Sequence, residues 1–400
     1  MREDRGQPAG RPRLLRTLND RLALEVLLDS GPLTRQQISD LTGLSRPTAS
    51  LMLCRLEAVG LVAPTGDSTP AGRGPHAALY GVPPRTVLSA AVDVARDTSR
   101  VEVLDVTGRT VAAATLPTCA RTPAARTLRD LLAAVCPSAG IAATDLAHVV
   151  VGIGSAYDGR TDRLANAEHL PGWAGPALSR TLSRRLGVTV VVENDANLAL
   201  VGEQAADPEA VRDGTVLLWF GDGVGLAVEV GGVVHRGATG RAGEIGYVRA
   251  RPPQGDGRRD LQAVLGGAGL ESLAAGYALT AGPDGLTEAV VLARSEERGR
   301  GARAFLADVT ALVTDALEPV IGVLDPALVV LGGPGGASGG AMLADLVEAD
   351  LRARGRWFGH VRGPRSGPDA VLAGGRTVAT RLARDLLLER VGRATEQVAT

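Results

Sequence analysis

The chain has 400 residues, of which 45% are hydrophobic and 22% charged. Because one core rarely organises so many residues, we expect two or three domains, and this composition excludes a disordered or fibrous protein. The 43 basic and 44 acidic residues nearly balance, and the three scattered cysteines exclude a disulfide scaffold. No apolar run reaches the roughly 18 residues of a membrane span, and residues 1–16 lack the apolar stretch of a secretory signal, so we expect a cytoplasmic protein.

The first 84 residues predict a flexible arm followed by a small helical domain. Residues 1–13 are rich in Arg and Pro and are assigned to the arm, and residues 14–84 contain three apolar stripes at helical spacing. Thr34 with Gln37 forms a capping-box pattern before the second helix. Ser45 is placed to cap the third helix, whose first turn tolerates Pro47 because no intrahelical donor is lost there.

Two short β-rich runs, 61–63 and 77–80, follow these helices and flank a loop rich in glycine and proline. Three helices followed by such a hairpin are typical of a winged helix-turn-helix domain. Its third helix and loop would then offer small polar and Arg side chains to base edges and phosphates, namely Arg46, Pro47, Thr48, Ser50 and Arg73. Residues 1–85 also carry eleven arginines against eight acidic residues. DNA binding is the favoured interpretation, and a helical domain for protein contacts is the alternative.

Beyond residue 85 the pattern changes to alternating strands and helices. The predicted strands are 87–94, 100–105, 110–116, 148–151, 188–192, 215–220, 225–230, 233–234 and 328–331, and the predicted helices include 124–136 and 178–186. Mixed sheets flanked by helices occur twice. Residues 85–400 are therefore expected to form two α/β lobes with a cleft between them.

Three segments carry polar or glycine-rich motifs that suit this cleft: 193–197, 221–225 and 237–246. Polar side chains where a strand ends and a helix begins face the cleft of an α/β lobe, and glycines permit close approach of a phosphate. Each motif is unspecific by itself, because glycine turns are more often hairpins and an isolated Asp at a strand end is more often a helix cap.

In this order the motifs resemble the ROK family of sugar kinases and sugar-responsive repressors. Segments 44–50, 170–173, 193–197, 240–246 and 324–326 match its landmarks. The resemblance implies an actin-like, ribonuclease H-like fold for residues 85–400 and a hexose-like ligand in the cleft. It also implies that Asp195 corresponds to the catalytic base and that the sugar-binding set comprises His169, Asn194, Asp195, Glu244 and Tyr247. His169 stands where the family usually has Asn, and Trp173 either stacks on the sugar or belongs to the core.

Departures from the family pattern decide whether we expect a sugar kinase or a repressor. The family's kinases have a Gly-Gly-Thr turn after the first Asp, whereas this chain reads Asp93 to Thr98 without either glycine. Asp222 replaces the usual Thr of the second phosphate loop, and its negative charge repels a phosphate. The usual zinc site is also missing, because Tyr247 takes the place of its His and segment 251–257 has no cysteine. We therefore expect no nucleotide cofactor and no metal, with Asp195 vestigial as a base.

The sequence thus predicts a transcriptional regulator, most simply a repressor, that binds operator DNA and responds to a sugar or sugar derivative. Because such regulators read paired half-sites, we expect a homodimer or a dimer of dimers. One alternative is an ATP-dependent sugar kinase that carries a DNA-binding domain. The other is a regulator that has lost its ligand and acts constitutively or through a partner protein.

Overall fold

The structure is a computed structural model that describes residues 11–67, 77–165, 170–211, 214–250, 257, 259–280, 283–294, 299–355, 357–367 and 369–397. It contains a small amino-terminal module and two α/β lobes. No helix in the described ranges is both long and apolar enough to cross a bilayer.

The amino-terminal module consists of three helices and a three-stranded antiparallel sheet. Its elements are α1 (Arg11–Ser30), β1 (Leu33–Thr34), α2 (Arg35–Thr42), α3 (Arg46–Ala58), β2 (Ala63–Asp67) and β3 (Ala78–Gly81), with the sheet order β1-β3-β2. The predicted helices and hairpin are confirmed, and β1 adds a strand that the sequence did not predict. The helix α1 begins at Arg11, so residues 11–13 are helical and not part of an arm, whereas residues 1–10 lie outside the described ranges.

The caps of this module follow the predicted chemistry. Thr34 Oγ1 accepts a hydrogen bond from the backbone N–H of Gln37 at 3.3 Å, and the Gln37 side chain accepts one from the Thr34 N–H at 2.9 Å. Ser45 Oγ accepts from the Thr48 N–H at 3.4 Å, and Pro47 occupies the first turn of α3. These bonds satisfy donors that a helix start leaves free.

The first lobe contains a five-stranded mixed sheet. Its elements are β4 (Leu88–Val94), β5 (Thr98–Leu104), β6 (Thr110–Pro117), α4 (Ala124–Ala139), β7 (Leu146–Ile153), β8 (Tyr157–Asp158), β9 (Arg163–Leu164), α5 (Leu178–Leu186), β10 (Thr189–Asn194) and α6 (Asp195–Ala206). The sheet order is β10-β7-β4-β5-β6, in which β10, β7 and β4 are parallel. In this register Asp93 and Glu193 both lie opposite Gly152, so polar residues gather at the carboxyl ends of these strands.

The second lobe also contains a mixed sheet flanked by helices, and it has more helices than the first lobe. Its elements are β11 (Thr215–Trp219), β12 (Gly225–Val230), β13 (Val233–Val234), β14 (Arg249–Ala250), β15 (Arg259–Asp260), α7 (Gln262–Leu265), α8 (Gly267–Gly276), α9 (Pro283–Leu292), α10 (Gly299–Leu324), β16 (Leu328–Gly332), α11 (Gly333–Ala353) and β17 (His360–Arg362), and they are followed by α12 (Ala370–Gln397), which packs on the first lobe. Its main sheet has the order β13-β12-β11-β16-β17, with β11, β16 and β17 parallel. The mixed sheets and the strands predicted from sequence are confirmed, with ends shifted by one or two residues.

The last helix, α12, joins the first lobe to the amino-terminal module. Near its start α12 packs so closely on α6 that a Cβ atom added at Gly374 would lie 1.7 Å from the carbonyl oxygen of Leu198. Towards its end α12 contributes Ala383, Leu387, Leu388 and Val391 to the buried core that α1, α2 and α3 form. Residues from both ends of the chain therefore share one hydrophobic core.

Candidate functional site

The candidate sugar site begins where β10 meets α6. Asn194 is the last residue of β10, and its Oδ1 accepts a hydrogen bond from the Asn197 N–H at 3.0 Å, which caps α6. Asp195 is the first residue of α6, and its Oδ1 accepts from the Ala196 N–H at 2.7 Å. The cap therefore fixes both side chains at the cleft end of the helix.

Four carboxylates lie within electrostatic range in this cleft: Asp93, Asp195, Asp222 and Glu244. Burial raises the pKa of Asp195 to about 8, and the negative charges of Asp222, Asp93 and Glu244 add to the rise, while the Ala196 N–H opposes it. Asp195 therefore holds its proton near neutral pH. A protonated carboxyl group can donate a hydrogen bond to a ligand hydroxyl as well as accept one.

The second loop of the cleft is held by hydrogen bonds to the Asp222 side chain. Asp222 Oδ1 accepts a hydrogen bond from Trp219 Nε1 at 2.8 Å and another from the Gly223 N–H at 2.8 Å. The Val224 N–H donates to Gln262 Oε1 at 2.9 Å. Two backbone donors of this loop are thus already bound to side-chain oxygens, and the Asp222 side chain is exposed.

A partly buried ion pair joins β4 and β5 beside the first loop of the cleft, with Asp93 buried and Arg100 32% exposed. Arg100 on β5 donates to Asp93 Oδ2 at 2.8 Å and also to Asp369, which precedes α12. Burial raises the pKa of Asp93, although the Arg100 guanidinium opposes the rise. This contact ties the loop to the start of α12.

The glycine-rich segment around Glu244 packs against the backbone at two positions, Leu226 and Tyr157. A Cβ atom at Gly243 would lie 1.7 Å from the Leu226 carbonyl oxygen, and one at Gly240 would lie 1.9 Å from that of Tyr157. Glycine at both positions therefore lets the segment approach the sheets closely. Glu244 is half-buried beside the cleft, whereas Tyr247 is 57% exposed.

Sequence reasoning missed a second polar network at the site. Glu193 accepts hydrogen bonds from Asn197 Nδ2 at 3.0 Å and from Arg236 Nε at 2.6 Å. The spacing of Glu193 and Asn197 gives no signal for the first contact, because Glu193 ends a strand and Asn197 lies on the following helix. Nothing local could have signalled Arg236, which approaches from the other lobe.

The structure decides between the two roles expected for Trp173, and it does not describe two of the other predicted site residues. Trp173 is 1% exposed within the core of the first lobe, so it is a core residue and does not stack on a ligand in this conformation. His169 and Arg73 lie outside the described residues. Within those described, no cluster of three or more His, Cys, Asp or Glu side chains is arranged to hold a metal ion.

The predicted DNA-binding residues of α3 lie at its amino-terminal end. Arg46 and Pro47 are exposed, while Thr48 and Ser50 are half-buried. The Thr48 hydroxyl lies 2.9 Å from Ser45 Oγ and belongs to the cap. On the opposite side, Ala49, Met52 and Leu53 are fully buried. This end of α3 therefore presents Arg46 and Pro47 to solvent, together with Leu51, which is 64% exposed.

Comparison with known proteins identifies the family. Residues 89–353 match the ROK family. This chain is a member of the ROK family.

Relatives include both enzymes and repressors. The ROK chain is 32% identical over 190 residues to the bifunctional enzyme NanE/NanK of Brucella suis, covering 44% of this chain and 35% of that protein. It is 23% identical over 237 residues to the xylose repressor of Bacillus subtilis, covering 58% of this chain and 61% of that protein. This chain thus spans about a third to three fifths of these relatives.

The fold extends over nearly the whole chain in one solved structure, described as a ROK family transcriptional regulator and homolog of E. coli MLC protein. The two superpose with a TM-score of 0.70 at 15% identity, covering 95% of this chain and 99% of that one. At this identity the likeness establishes the shared fold.

Proposed function

We propose that this ROK protein is a DNA-binding transcriptional regulator whose operator affinity changes when a sugar or sugar derivative binds in the cleft. Residues 14–84 form the DNA-binding domain, a winged helix-turn-helix, and residues 85–400 form the sugar-responsive domain. The observation that carries the proposal is the fusion of a capped three-helix module to a ROK body in which the Asp222 carboxylate binds the Gly223 N–H, in the loop that the family resemblance assigns to phosphate.

Support for DNA binding comes from the exposed start of α3. The caps hold Arg46 at the first helical position with its side chain in solvent. The helix N-terminus and a guanidinium together favour contact with phosphates and base edges. With Pro47, Thr48, Ser50 and Arg73, this surface is our candidate DNA interface.

Support for sugar binding comes from the cleft acceptors. Glu244 and Asp195 offer carboxyl oxygens, and Asn194 has an amide nitrogen that its cap does not use. A hydrogen bond to the charged Glu244 contributes about 1.5–3 kcal/mol, and those to the neutral Asp195 and Asn194 contribute about 0.5–1.5 kcal/mol each, so together these contacts support useful affinity. Tyr247 and His169 complete the proposed set.

Catalysis is disfavoured because the loop that should hold the nucleotide phosphates has lost its donors to Asp222 and Gln262. Phosphoryl transfer depends on positioning and on neutralisation of charge. Here the phosphates would meet the carboxylates of Asp93, Asp222 and Glu244, the protonated carboxyl group of Asp195, and one guanidinium that is already paired.

The structure also offers a physical route between the two proposed sites. Asp195 begins α6, α6 packs backbone to backbone on α12, and α12 enters the core of the amino-terminal module. Arg384 of α12 donates to Asp29 Oδ1 at 2.8 Å and to the Leu28 carbonyl oxygen at 3.0 Å, both at the end of α1. A shift of α6 on ligand binding would therefore reach α1 through one rigid helix.

The decisive experiment is an operator search followed by sugar titration. Purified protein should protect a palindromic site in a footprint of its own gene region, and one sugar should change that affinity by 5- to 150-fold, the range of typical allosteric coupling. Glu244→Ala should keep operator affinity and lose the sugar response, whereas Glu271→Ala, an exposed carboxylate of α8, should change neither. Absence of any protected site at physiological salt would refute the regulator.

The alternative of a sugar kinase is favoured by the retained Asp195 and Glu244 and by enzymes among the relatives. A coupled ATP assay over a panel of hexoses tests it. Turnover that Asp195→Asn abolishes would establish the enzyme, and silence across the panel supports the regulator.

A further inference from the structure

Buried hydrogen bonds hold the two lobes together at the carboxyl end of α6. Glu203 is fully buried there and accepts a hydrogen bond from Arg362 Nη1, at the end of β17, at 2.5 Å. It also accepts from the backbone N–H groups of Arg365 at 2.9 Å and Ser366 at 2.8 Å, and from the Ser366 hydroxyl at 2.5 Å. Because the segment after β17 carries the chain from the second lobe to α12, these four donors on one carboxylate fix the crossing in place.

An ion pair joins the lobes at the opposite end of α6, beside the cleft. Arg236, two residues after β13 in the second lobe, donates from Nε to Oε2 of Glu193, near the end of β10 in the first lobe, at 2.6 Å. The Arg236 side chain is 44% exposed and that of Glu193 15%. A partly exposed ion pair is screened by solvent and stabilises less than several buried hydrogen bonds to one carboxylate. These polar contacts therefore join the lobes less firmly at the cleft than at Glu203.

Arg236 also begins the glycine-rich segment that carries Glu244. Its Nη1 donates to the Val234 carbonyl oxygen at 3.1 Å, and its own carbonyl oxygen accepts from the Ala242 N–H at 3.3 Å. The first of these bonds fixes the guanidinium on β13, and the second closes the turn that precedes Glu244. Movement of Arg236 away from the first lobe therefore displaces the Glu244 segment as well.

Glu193 is likewise held in place on the first lobe. Its Oε1 accepts hydrogen bonds from the Asn194 N–H and from Asn197 Nδ2, both at 3.0 Å. Asn197 is 3% exposed on α6, so the carboxylate that receives Arg236 is oriented by a buried side chain. The ion pair thus connects a fixed acceptor, next to Asn194 in the chain, to the segment that carries Glu244.

We propose that Arg236 and Glu193 are positioning residues, which hold the Glu244 segment against the start of α6 before any ligand binds. The lobes open by rotation about the Glu203 contacts, and opening separates Arg236 from Glu193. The ion pair therefore sets the fraction of ligand-free molecules in which the cleft is closed. The inference rests on the proposed function only where it treats the cleft as the sugar site.

Hydrogen exchange of the full chain without ligand tests the ion pair. Arg236→Ala should raise the exchange rates of the amides in residues 237–247 about five- to tenfold, because the closed cleft loses a charged hydrogen bond that is partly exposed. Arg236→Lys keeps the charge and should restore most of the protection. Arg352→Ala is the matched control, since it removes a 2.7 Å ion pair to Glu348 with exposures of 45% and 19% inside α11. Unchanged exchange in Arg236→Ala would overturn the proposal.

The same experiment tests where the lobes rotate. In the wild type the amides of Arg365 and Ser366, which bind Glu203, should exchange more slowly than those of residues 237–247. Faster exchange at Arg365 and Ser366 would place the rotation elsewhere and overturn the proposal.

Urea denaturation separates positioning from a general structural role. The urea midpoint of Arg236→Ala should equal that of the wild type. A lower midpoint with faster exchange throughout the chain would assign Arg236 a general role in stability and overturn the proposal. Neither measurement contains sugar or DNA, so their failure counts against the ion pair alone, whereas failure of the operator search counts against the proposed function.

Discussion

The carboxyl group of Asp195 stands among like charges at the point where the two lobes meet. Its pKa of about 8 means that the folded protein keeps a proton that the unfolded chain releases near pH 4. Raising the pH from about 4 to about 8 therefore weakens the folded state, by at most about 1.4 kcal/mol per pH unit from this group.

Asp195→Asn should remove this contribution, because the amide cannot titrate. We expect the variant to lose less of its free energy of unfolding than the wild type between pH 5 and pH 8, as measured by urea denaturation. Asp345→Asn, at an exposed position of α11, serves as the matched control. Parallel pH profiles for wild type and Asp195→Asn would show that Asp195 ionises freely.

A second prediction for a single residue concerns Arg73, which lies outside the described residues. If the loop that carries it enters the minor groove, Arg73→Ala should weaken binding to every operator, most of all to those with A·T-rich flanks, where the groove potential is strongest. Fluorescence anisotropy measures this, with Arg129→Ala of α4 as control. Equal affinities for wild type and Arg73→Ala would remove this loop from the interface.

Close packing between two helices requires glycine at the point where their backbones meet. At Gly374 of α12 a methyl group would collide with the backbone of α6, whereas at Gly322 of α10 it would meet open space. Gly374→Ala should therefore destabilise the fold by about 1–3 kcal/mol, since overpacking cannot be relieved by side-chain rotation. Gly322→Ala should be neutral or stabilise by up to about 1 kcal/mol, because it restricts the unfolded chain. Urea midpoints that move alike for both variants would contradict this account.

Elements were predictable from sequence where local chemistry fixes them. The Thr34 cap, the Ser45 cap and the alternating strands of both lobes depend on neighbours within a few residues. The helix α11 was not predicted, because its glycine-rich first half disfavours a helix in isolation. There a Cβ atom at Gly335 would lie 2.4 Å from the ring of Phe220, which follows β11, so tertiary packing favours glycine.

The site was predictable only in part, because some of its contacts join residues that are far apart in the chain. Asp195 and Glu244 stand in motifs that the family resemblance identifies. Arg100 and Asp369, by contrast, are 269 positions apart and meet only because α12 returns to the first lobe. No spacing rule links such residues, and the four-carboxylate cluster likewise exists only after the two lobes are assembled.

Over the whole molecule, α12 is the element that would link the proposed ligand site to the proposed DNA interface. Arg384→Ala removes its hydrogen bonds to the end of α1, and we expect the sugar-induced change in operator affinity to shrink several-fold while sugar affinity stays constant. Calorimetry with the sugar and anisotropy with operator DNA measure the two quantities. Arg352→Ala, which removes a surface ion pair within α11, is the control. Full retention of the sugar response in Arg384→Ala would exclude this route.

The shared core of α1 and α12 has a consequence for how the protein is made. A ribosome releases residues 14–84 long before it synthesises Leu387 and Val391, which fill the centre of that amino-terminal module. An unfinished polypeptide therefore exposes an incomplete hydrophobic interior at its front end. Only a product that includes α12 can close it, so fragments that end before α12 should compete poorly with the intact protein for the proposed operator.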